Sequence, residues 1–326
     1  MKVLLTGGSG FLGSSLCRDL AEAGHDVVVL DDNSRGRADR LLEMGSNVRL
    51  VEGDIRDAET VLRATEGVEV VYHLAYINGT RYFYERPADV LEVGIKGTLN
   101  TIEAALAHGV RRYVLASTSE TYNEPETVPT PESEPLKIPD VLNPRFSYGG
   151  GKIACELMAL HMGAPRGLET VVFRPHNFYG PDMGNEHVIP EISRRVVEVS
   201  EGLTKTAIDL PIQGDGSETR SFCFVTDGSA GAHLVGERGA PGEIYHLGTE
   251  RELSIADLVR LIGSSLGVEV TPVPGPLRAG GTTRRCPDIT KARALGFEPR
   301  VELEEGVART ARWYADTVLG ATAGAR

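Results

Sequence analysis

Short runs of apolar, largely β-branched residues alternate with helix-like stretches along the first half of the chain. The apolar runs lie at 2–5, 27–30, 48–51, 68–74, 112–116 and 171–174, and the helical stretches at 11–23, 58–65, 90–108 and 148–162. Continuous apolar strands of this length are typical of a parallel sheet that helices cover on both faces. The pattern therefore predicts an α/β fold with a doubly wound parallel sheet.

The composition and the pattern of the sequence change after the last of these strands. Pro, Gly, Asp and Asn cluster at 175–185, a helix is predicted at 188–200, and a hairpin-like polar stretch follows at 214–220. Ser254 is expected to cap a further helix, and a last helix is predicted at 304–318. These segments indicate a smaller, less regular C-terminal region that interleaves with the sheet.

Composition narrows the class of protein. Hydrophobic residues make up 41% and charged residues 25% of the 326 residues, and the net charge is −12. The acidic balance argues against nucleic acid or an anionic membrane surface as a partner. No apolar run approaches the roughly 18 residues of a membrane span, and the start lacks a secretory signal. We therefore expect a cytoplasmic protein with no membrane partner.

The cysteines are scattered, at Cys17, Cys155, Cys223 and Cys286, and the eight histidines are dispersed. Neither residue type has the spacing of a zinc site. The sequence therefore predicts four reduced thiols and no bound metal.

A glycine-rich loop joins the first predicted strand to the first predicted helix. Gly7, Gly10 and Gly13 have GxxGxxG spacing. The first glycine permits a tight turn, the second lets the backbone approach a pyrophosphate, and the third allows close packing of helix on sheet. Phe11 and Leu12 lie at the helix N-terminus, where free N–H groups attract an anion. The loop predicts a dinucleotide site in a Rossmann-type sheet.

Two carboxylates end the second predicted strand. Asp31 or Asp32 is placed to accept hydrogen bonds from the adenosine ribose and would repel a 2′-phosphate, which favours NAD over NADP. Asn33, in the same turn, is assigned to this site. Arg35 and Arg37 follow closely and keep NADP open as an alternative. A plain surface turn is the other alternative.

Tyr148 and Lys152 are four residues apart on a predicted helix, so their side chains share one face. An ammonium beside a phenol favours the phenolate, as does a positively charged nicotinamide. The phenolate would remove a hydroxyl proton while hydride leaves the same carbon. The fifth predicted strand ends near Thr118 and Ser119, whose hydroxyls we expect to bind the reacting oxygen.

Together these motifs resemble the extended short-chain dehydrogenases/reductases of the NAD-dependent epimerase/dehydratase family, which modify nucleotide sugars. The resemblance covers nearly the whole chain. It rests on the glycine loop, Asp31, 53–55, 73–75, 118–120, Tyr148 with Lys152, 174–181, Arg220, 285–288 and 291–299. It implies NAD as cofactor and a nucleotide-diphosphate sugar as substrate.

The resemblance also implies roles for individual residues around the cofactor. Asp54 and Ile55 would flank the adenine, and the turn at 73–75 would line the phosphates. The further cofactor-binding residues that it implies are Leu74, Ala75, Tyr76 and Pro175.

On the substrate side, the resemblance implies that Asn177 contacts the diphosphate and that Arg220 and Arg285 clamp its phosphates. A planar guanidinium suits that role because it binds phosphate in a bidentate manner. His176 and Tyr82 are assigned to the sugar. A structural histidine and a packing aromatic residue are the alternatives for these two positions.

Two positions depart from the family pattern. Gly94 stands where an asparagine is usual before the pair Gly97 and Thr98, and Asn123 follows Tyr122 where glycine is usual. The contact that the missing asparagine would make is therefore in question.

The family resemblance implies oxidation at carbon 4 of the sugar, after which the reactions diverge. Glu120 stands where 4,6-dehydratases and uronate decarboxylases carry a glutamate, which suggests chemistry at carbon 5. A plain 4-epimerase, which needs no second base, is the alternative. A non-catalytic NAD-binding sensor or scaffold and an NADPH-dependent alcohol reductase are alternatives of other classes.

The predicted domain organisation follows from the change in composition after residue 175 and from the family resemblance. Residues 1–175 are predicted to form the NAD-binding Rossmann domain, to which 222–248 returns. Segments 176–221 and 249–318 are predicted to form the substrate-binding domain, and 319–326 a disordered tail.

The resemblance further implies a homodimer. The helical stretches 90–108 and 148–162 would pair across a two-fold axis into a four-helix bundle.

Overall fold

The structure, a computed structural model, describes residues 1–276 and 282–324. Its strands are β1 (Lys2–Thr6), β2 (Asp26–Asp31), β3 (Val48–Glu52), β4 (Val70–His73), β5 (Arg112–Ala116), β6 (Glu169–Pro175), β7 (Phe178–Tyr179), β8 (Ala207–Pro211), β9 (Thr219–Ser221), β10 (Cys223–Phe224), β11 (Ile244–Leu247), β12 (Glu252–Ser254), β13 (Glu269–Val273) and β14 (Arg284–Arg285).

Its α-helices are α1 (Phe11–Glu22), α2 (Ala58–Ala64), α3 (Thr80–Glu85), α4 (Pro87–Leu91), α5 (Gly97–Ala107), α6 (Ser147–Met158), α7 (Val188–Val199), α8 (Val225–Arg238), α9 (Ile255–Ser265), α10 (Thr290–Leu295) and α11 (Leu303–Gly324). A π-helical turn at Glu92–Lys96 joins α4 to α5, and another at Ala159–Gly163 follows α6. None of the helices in these ranges combines the length and apolar character needed to cross a bilayer.

The centre of the fold is a parallel sheet of seven described strands in the order β11–β6–β5–β4–β1–β2–β3. β1 pairs with both β2 and β4, so that Leu5 aligns with Val29 on one side and Tyr72 on the other. The strand order reverses there, which opens a crevice at the carboxyl ends of the strands. The prediction of a doubly wound, Rossmann-type α/β fold is confirmed.

Helices cover both faces of the sheet because successive side chains of a strand point to opposite sides. Val3 and Leu5 of β1 pack in one core cluster with Cys17 of α1, whereas Leu4 packs in another with Ile102 of α5. Each of these five side chains is buried. This two-sided burial explains why the strand sequences are continuously apolar.

A separate core lies in the C-terminal region. It includes Val196 of α7, Leu210 of β8, Ile262 of α9 and Val307 of α11. β8 pairs in parallel with β13, while β9 lies between β12 and β14 in a small three-stranded sheet. β11 returns to the main sheet and pairs with β6. The exact domain boundaries stay a prediction.

Two local predictions differ from the structure. The polar stretch at 214–220 does not form a hairpin, because β9 at its end pairs with β12 and β14, which lie far along the chain. The last helix continues to Gly324, so residues 319–324 are helical although a disordered tail was predicted. Residues 325 and 326 of that predicted tail lie outside the described residues.

Ser254 caps α9, as predicted. Its hydroxyl oxygen accepts a hydrogen bond from the backbone N–H of Asp257 at 3.0 Å and donates to the Asp257 carboxylate at 2.7 Å. The cap satisfies an N–H group that the first turn of a helix otherwise leaves free.

We therefore expect Ser254→Ala to lower the free energy of unfolding by about 1 kcal/mol, measured by urea denaturation. Ser264→Ala is the matched control, because Ser264 lies exposed near the other end of α9 and bonds only to the Leu261 carbonyl. Equal losses in both variants would contradict the capping role.

Candidate active site

A cleft of about 670 Å³ opens at the carboxyl ends of β1, β2, β4, β5 and β6. Most of the predicted cofactor and catalytic residues line it, together with Tyr82, which was assigned to the sugar. They are Gly7, Gly10, Phe11, Leu12, Gly13, Asp31, Asp32, Asp54, Ile55, Leu74, Ala75, Tyr76, Tyr82, Tyr148, Lys152 and Pro175. Segments that are distant in sequence thus meet where the strand order reverses.

The glycine loop fits a pyrophosphate. Gly7 has a φ of +74°, and a Cβ there would lie 2.7 Å from the Ala75 backbone nitrogen. A Cβ on Gly13 would lie 2.0 Å from the Gly7 carbonyl oxygen. α1 begins after Gly10, and within the described residues no side chain caps it. Its N–H groups are therefore available to an anion, as the site for a dinucleotide requires.

Asp31 ties the second strand to the glycine loop. Its carboxylate accepts hydrogen bonds from the backbone N–H groups of Ser9 and Asn33, both at 3.0 Å. Asp32 instead binds Ser34, through its N–H at 2.9 Å and its hydroxyl at 2.6 Å. Asn33 has a φ of 54° and is not among the residues that line the cleft. Asp31 is therefore the better placed of the two carboxylates.

Arginines that follow the second strand bind protein groups across the cleft. Arg37 and Arg40 form ion pairs with Asp182 at 3.0 and 2.8 Å. The Arg35 guanidinium lies 4.7 Å from the centre of the Tyr82 ring. A 2′-phosphate on the cofactor would need free arginines as partners, but these guanidiniums are already engaged by protein groups. Their contacts therefore favour NAD over NADP.

Asp54 and Ile55 form the far wall of the cleft. The Arg56 guanidinium holds the Asp54 carboxylate through hydrogen bonds of 2.6, 2.9 and 3.1 Å, which lower the pKa of that carboxyl. Ile55 packs against Gly97, where a Cβ would lie 2.2 Å from the Ile55 Cδ1. The Asn100 amide donates to the Ile55 carbonyl at 2.9 Å. Contacts with neighbouring residues therefore fix the positions of both Asp54 and Ile55.

Tyr148 lies buried in the cleft wall. Its ring stacks on Phe83 with centroids 4.9 Å apart and meets Tyr76 edge-on at 5.2 Å. Burial raises the pKa of Tyr148, and a hydrogen bond with the Thr118 hydroxyl offsets only part of that rise. The phenol of this structure is therefore protonated near neutral pH.

Lys152 does not have the predicted contact with Tyr148. Its Nζ donates to the Ala116 carbonyl at 2.6 Å and lies 4.2 Å from the centre of the Tyr76 ring. No hydrogen bond joins it to Tyr148 among the described residues. A buried ammonium needs polar partners, and the end of β5 provides one. Burial lowers the pKa of Lys152 to about 8.

A buried hydrogen-bond network lies behind the cleft. The Ser117 hydroxyl, at the cleft surface, donates to the Glu156 carboxylate. Glu156 binds the Arg174 guanidinium through two bonds of 2.9 and 2.6 Å, and Arg174 donates to the Tyr122 hydroxyl. The Tyr122 hydroxyl lies 2.6 Å from the Nε2 of His246. Paired charges of this kind rigidify the site.

Glu156 was not among the residues predicted from the sequence. A signal for Glu156 was present, because it lies four residues after Lys152 and therefore on the same face of α6.

Glu120 lies in a cluster of arginines. Its carboxylate binds the Arg285 guanidinium at 2.5 Å and lies 3.9 Å from Arg145, another residue that the sequence analysis missed. Burial is the largest influence and would raise the pKa of Glu120, but Arg285, Arg145 and Arg220 together outweigh it, so the pKa is lowered. Burial and the charge of Arg285 lower the pKa of Arg220 to about 10. Three guanidiniums around one carboxylate leave a positive surplus suited to an anion.

The remaining predicted residues do not line the cleft. They are Asn33, Thr118, Ser119, Glu120, His176, Asn177, Arg220 and Arg285. The Asn177 amide donates to the Ser221 carbonyl at 2.8 Å, and Arg220 donates to the Thr282 carbonyl at 2.6 Å. His176 is 1% exposed and packs against His246 with ring centroids 4.6 Å apart. Burial lowers the pKa of His176, which fits the structural alternative.

Possible metal ligands meet elsewhere in the described chain. His25, His233 and Glu237 have ligand atoms within 4.8 Å of one another, with His233 and Glu237 one helical turn apart on α8. None of the three lines the cleft described above. The expectation that the protein binds no metal stays a prediction.

Known proteins are similar to this chain over nearly its whole length. The dTDP-glucose 4,6-dehydratase of Streptomyces antibioticus is 33% identical over 97% of this chain and 93% of its own length. The UDP-glucose 4-epimerase of Mycolicibacterium smegmatis is 34% identical over 96% of this chain and 98% of its own. The crystal structure of the dTDP-glucose 4,6-dehydratase DesIV from Streptomyces venezuelae, solved with NAD bound, has a TM-score of 0.85 at 31% identity and covers 97% of both chains.

A family model matches residues 3–248, and its description includes dependence on NAD. The resemblance and the cofactor predicted from the sequence are thereby confirmed. The chain belongs to the NAD-dependent epimerase/dehydratase family.

Proposed function

We propose that the protein modifies a nucleotide-diphosphate sugar through a transient ketone at carbon 4. The observation that carries this proposal is that Tyr148 and Lys152 share one cleft with the glycine loop. The loop and Asp31 would hold the dinucleotide. When bound, NAD supplies the hydride acceptor and a positive charge that favours the phenolate of Tyr148. Tyr148 would then accept the hydroxyl proton at its phenol oxygen.

The arginine cluster supports a diphosphate as the substrate anion. Arg145, Arg220 and Arg285 surround Glu120, which lies close enough to influence the pKa values of Tyr148 and His187 at the cleft. A guanidinium cluster with surplus charge binds phosphate oxygens well. The nucleotide end of the substrate would therefore bind at this cluster.

Glu120 separates the two possible reactions of the ketone. As a carboxylate it would remove the proton at carbon 5, which a 4,6-dehydratase type of reaction requires. In a uronate decarboxylase type of reaction, carbon dioxide leaves carbon 5 instead and the 4-keto group accepts the electron pair of the broken bond. These two reactions at carbon 5 are the leading proposal. Its ion pairs with Arg285 and Arg145 lower its basicity and favour a plain 4-epimerase as the second candidate. Relatives of both the dehydratase and the epimerase kind are similar to this chain.

The decisive experiment incubates the protein and NAD with UDP-, GDP-, dTDP- and CDP-sugars and measures product mass. Loss of water, loss of carbon dioxide and an unchanged mass with altered stereochemistry identify the three chemistries. Retained NAD binding by the wild type with no product from any sugar would instead favour a sensor or scaffold.

We expect Tyr148→Phe to lower turnover by about 100-fold or more because it removes the acid–base group.

If the reaction removes the carbon-5 proton, Glu120→Gln should lower its rate by about 100-fold while exchange at carbon 4 continues. Glu126→Gln is the matched control, because Glu126 lies on an exposed loop and pairs with Lys137. A Glu120→Gln variant that turns over within about tenfold of the wild type would favour the 4-epimerase.

Lys152 predicts the pH dependence of turnover. Its pKa of about 8 means that the ammonium is present below that pH and lost above it. We therefore expect kcat to fall as the pH rises through about 8. The Lys152→Met variant should lack that limb of the profile, and a wild-type kcat that stays level to pH 10 would contradict the role of the ammonium.

We also propose the predicted homodimer. Leu91 and Ile95, near the start of the α4–α5 segment, and Leu157 of α6 are exposed, and pairing of these helices would cover them. We expect a dimeric mass by light scattering and a monomer for Leu157→Glu. Leu142→Glu is the control, because Leu142 is also exposed but lies in the loop that precedes α6 and not on a helix of the predicted bundle. A monomeric wild type would refute the proposal.

A further inference from the structure

The side chain of Tyr76 occupies a slot that two glycines create. A Cβ on Gly94, in the π-helical turn, would lie 2.1 Å from the Tyr76 Cζ and 2.2 Å from its hydroxyl oxygen. A Cβ on Gly151, in α6, would lie 2.1 Å from the same oxygen. Real side-chain atoms do not approach so closely, so neither position has room for another residue while Tyr76 is present.

The same ring contacts both members of the Tyr–Lys pair. The Lys152 Nζ lies 4.2 Å from the ring centre, in the range of a cation–π interaction. The Tyr148 ring meets the Tyr76 ring edge-on, with centroids 5.2 Å apart. Tyr76 therefore contacts two side chains that approach it from α6.

The hydroxyl of Tyr76 has no hydrogen-bond partner among the described residues, although it is buried. A buried hydroxyl without a partner destabilises the folded state. The hydroxyl thus does not explain why tyrosine occupies this position, whereas the face of the ring does, because it is the part that meets the ammonium.

We propose that Tyr76 is a positioning residue whose ring, seated between Gly94 and Gly151, holds the Lys152 ammonium and the Tyr148 ring in the cleft. The proposal rests on the proposed function for its catalytic meaning. It explains why Gly94 stands where the family pattern has asparagine, since the space of that side chain is filled by Tyr76. It also explains the glycine at position 151 of α6, which reduces helix propensity.

The charges around Lys152 come from several elements. Glu156 and Cys155 face it from α6, and His73 faces it from β4. Glu156 is already paired with Arg174, and burial lowers the pKa of His73 to about 3, so His73 is neutral. The Tyr76 ring and the Ala116 carbonyl are therefore the groups that directly compensate the ammonium.

The steric half of the proposal is tested by melting temperatures, which require neither sugar nor cofactor. We expect Gly151→Ala to lower Tm by about 3 °C or more, since overpacking is costly. Gly150→Ala is the matched control, because its Cβ would meet only the Ile138 side chain at 3.5 Å. In a Tyr76→Ala background, Gly151→Ala and Gly94→Ala should no longer lower Tm. If these substitutions lower Tm equally in the wild type and in the Tyr76→Ala background, Tyr76 does not occupy the space beside the two glycines and the proposal is overturned.

The electrostatic half is tested by the affinity for NADH, followed by fluorescence between pH 6 and 10. We expect affinity to weaken as Lys152 loses its proton, and Lys152→Met to remove that transition. Tyr76→Leu should move its midpoint down by about one pH unit, whereas Tyr76→Phe, which keeps the ring, should leave the midpoint in place.

If the NADH affinity of the wild type shows no transition between pH 6 and 10, the positioning role is overturned. It is also overturned if Tyr76→Leu and Tyr76→Phe have the same midpoint. Because these assays use no sugar, their failure is distinct from failure of the proposed function, which product analysis decides.

Discussion

The buried ammonium of Lys152 is the constraint on which the architecture of the site depends. A charge that leaves water must be compensated locally, or it destabilises the fold. Here the compensation comes from the end of β5, through the Ala116 carbonyl, and from the turn after β4, through the Tyr76 ring. Three separate elements are thereby held together at the crevice, and Tyr148 lies on the same helix.

The surroundings of Tyr148 determine whether its phenol is protonated. Its surroundings in the protein are apolar and aromatic, so they hold the phenol in the protonated form. The side chains alone do not create a base. In the proposed mechanism, the charge that favours the phenolate would enter with the cofactor, so proton removal would be coupled to the presence of the hydride acceptor.

Two separate groups of residues can attract anions. In the cleft, the glycine loop offers backbone N–H groups and the positive end of α1. Outside the residues that line the cleft, three guanidiniums surround Glu120. The chain carries a net charge of −12, so both anion sites are local features on an acidic molecule. In the proposed function, the first would hold the dinucleotide and the second the diphosphate of the substrate.

The sequence by itself determined the features that depend on short spacings. The glycine loop, Asp31 at a strand end and the pair Tyr148 and Lys152 were predicted because local geometry decides which side chains share a turn or a face. The sheet was predicted for a related reason, since two-sided burial leaves a visible apolar run.

Only the tertiary structure decided the partners of these residues. Arg145 and Arg285 on Glu120, the glycine slot of Tyr76 and the pairing of β9 all join residues that are distant along the chain. A lone arginine or glycine has no periodic signal that names its partner. The direction of the Lys152 ammonium was likewise decided by packing, because a buried charge turns to the nearest acceptor and not to the residue that shares its helix face.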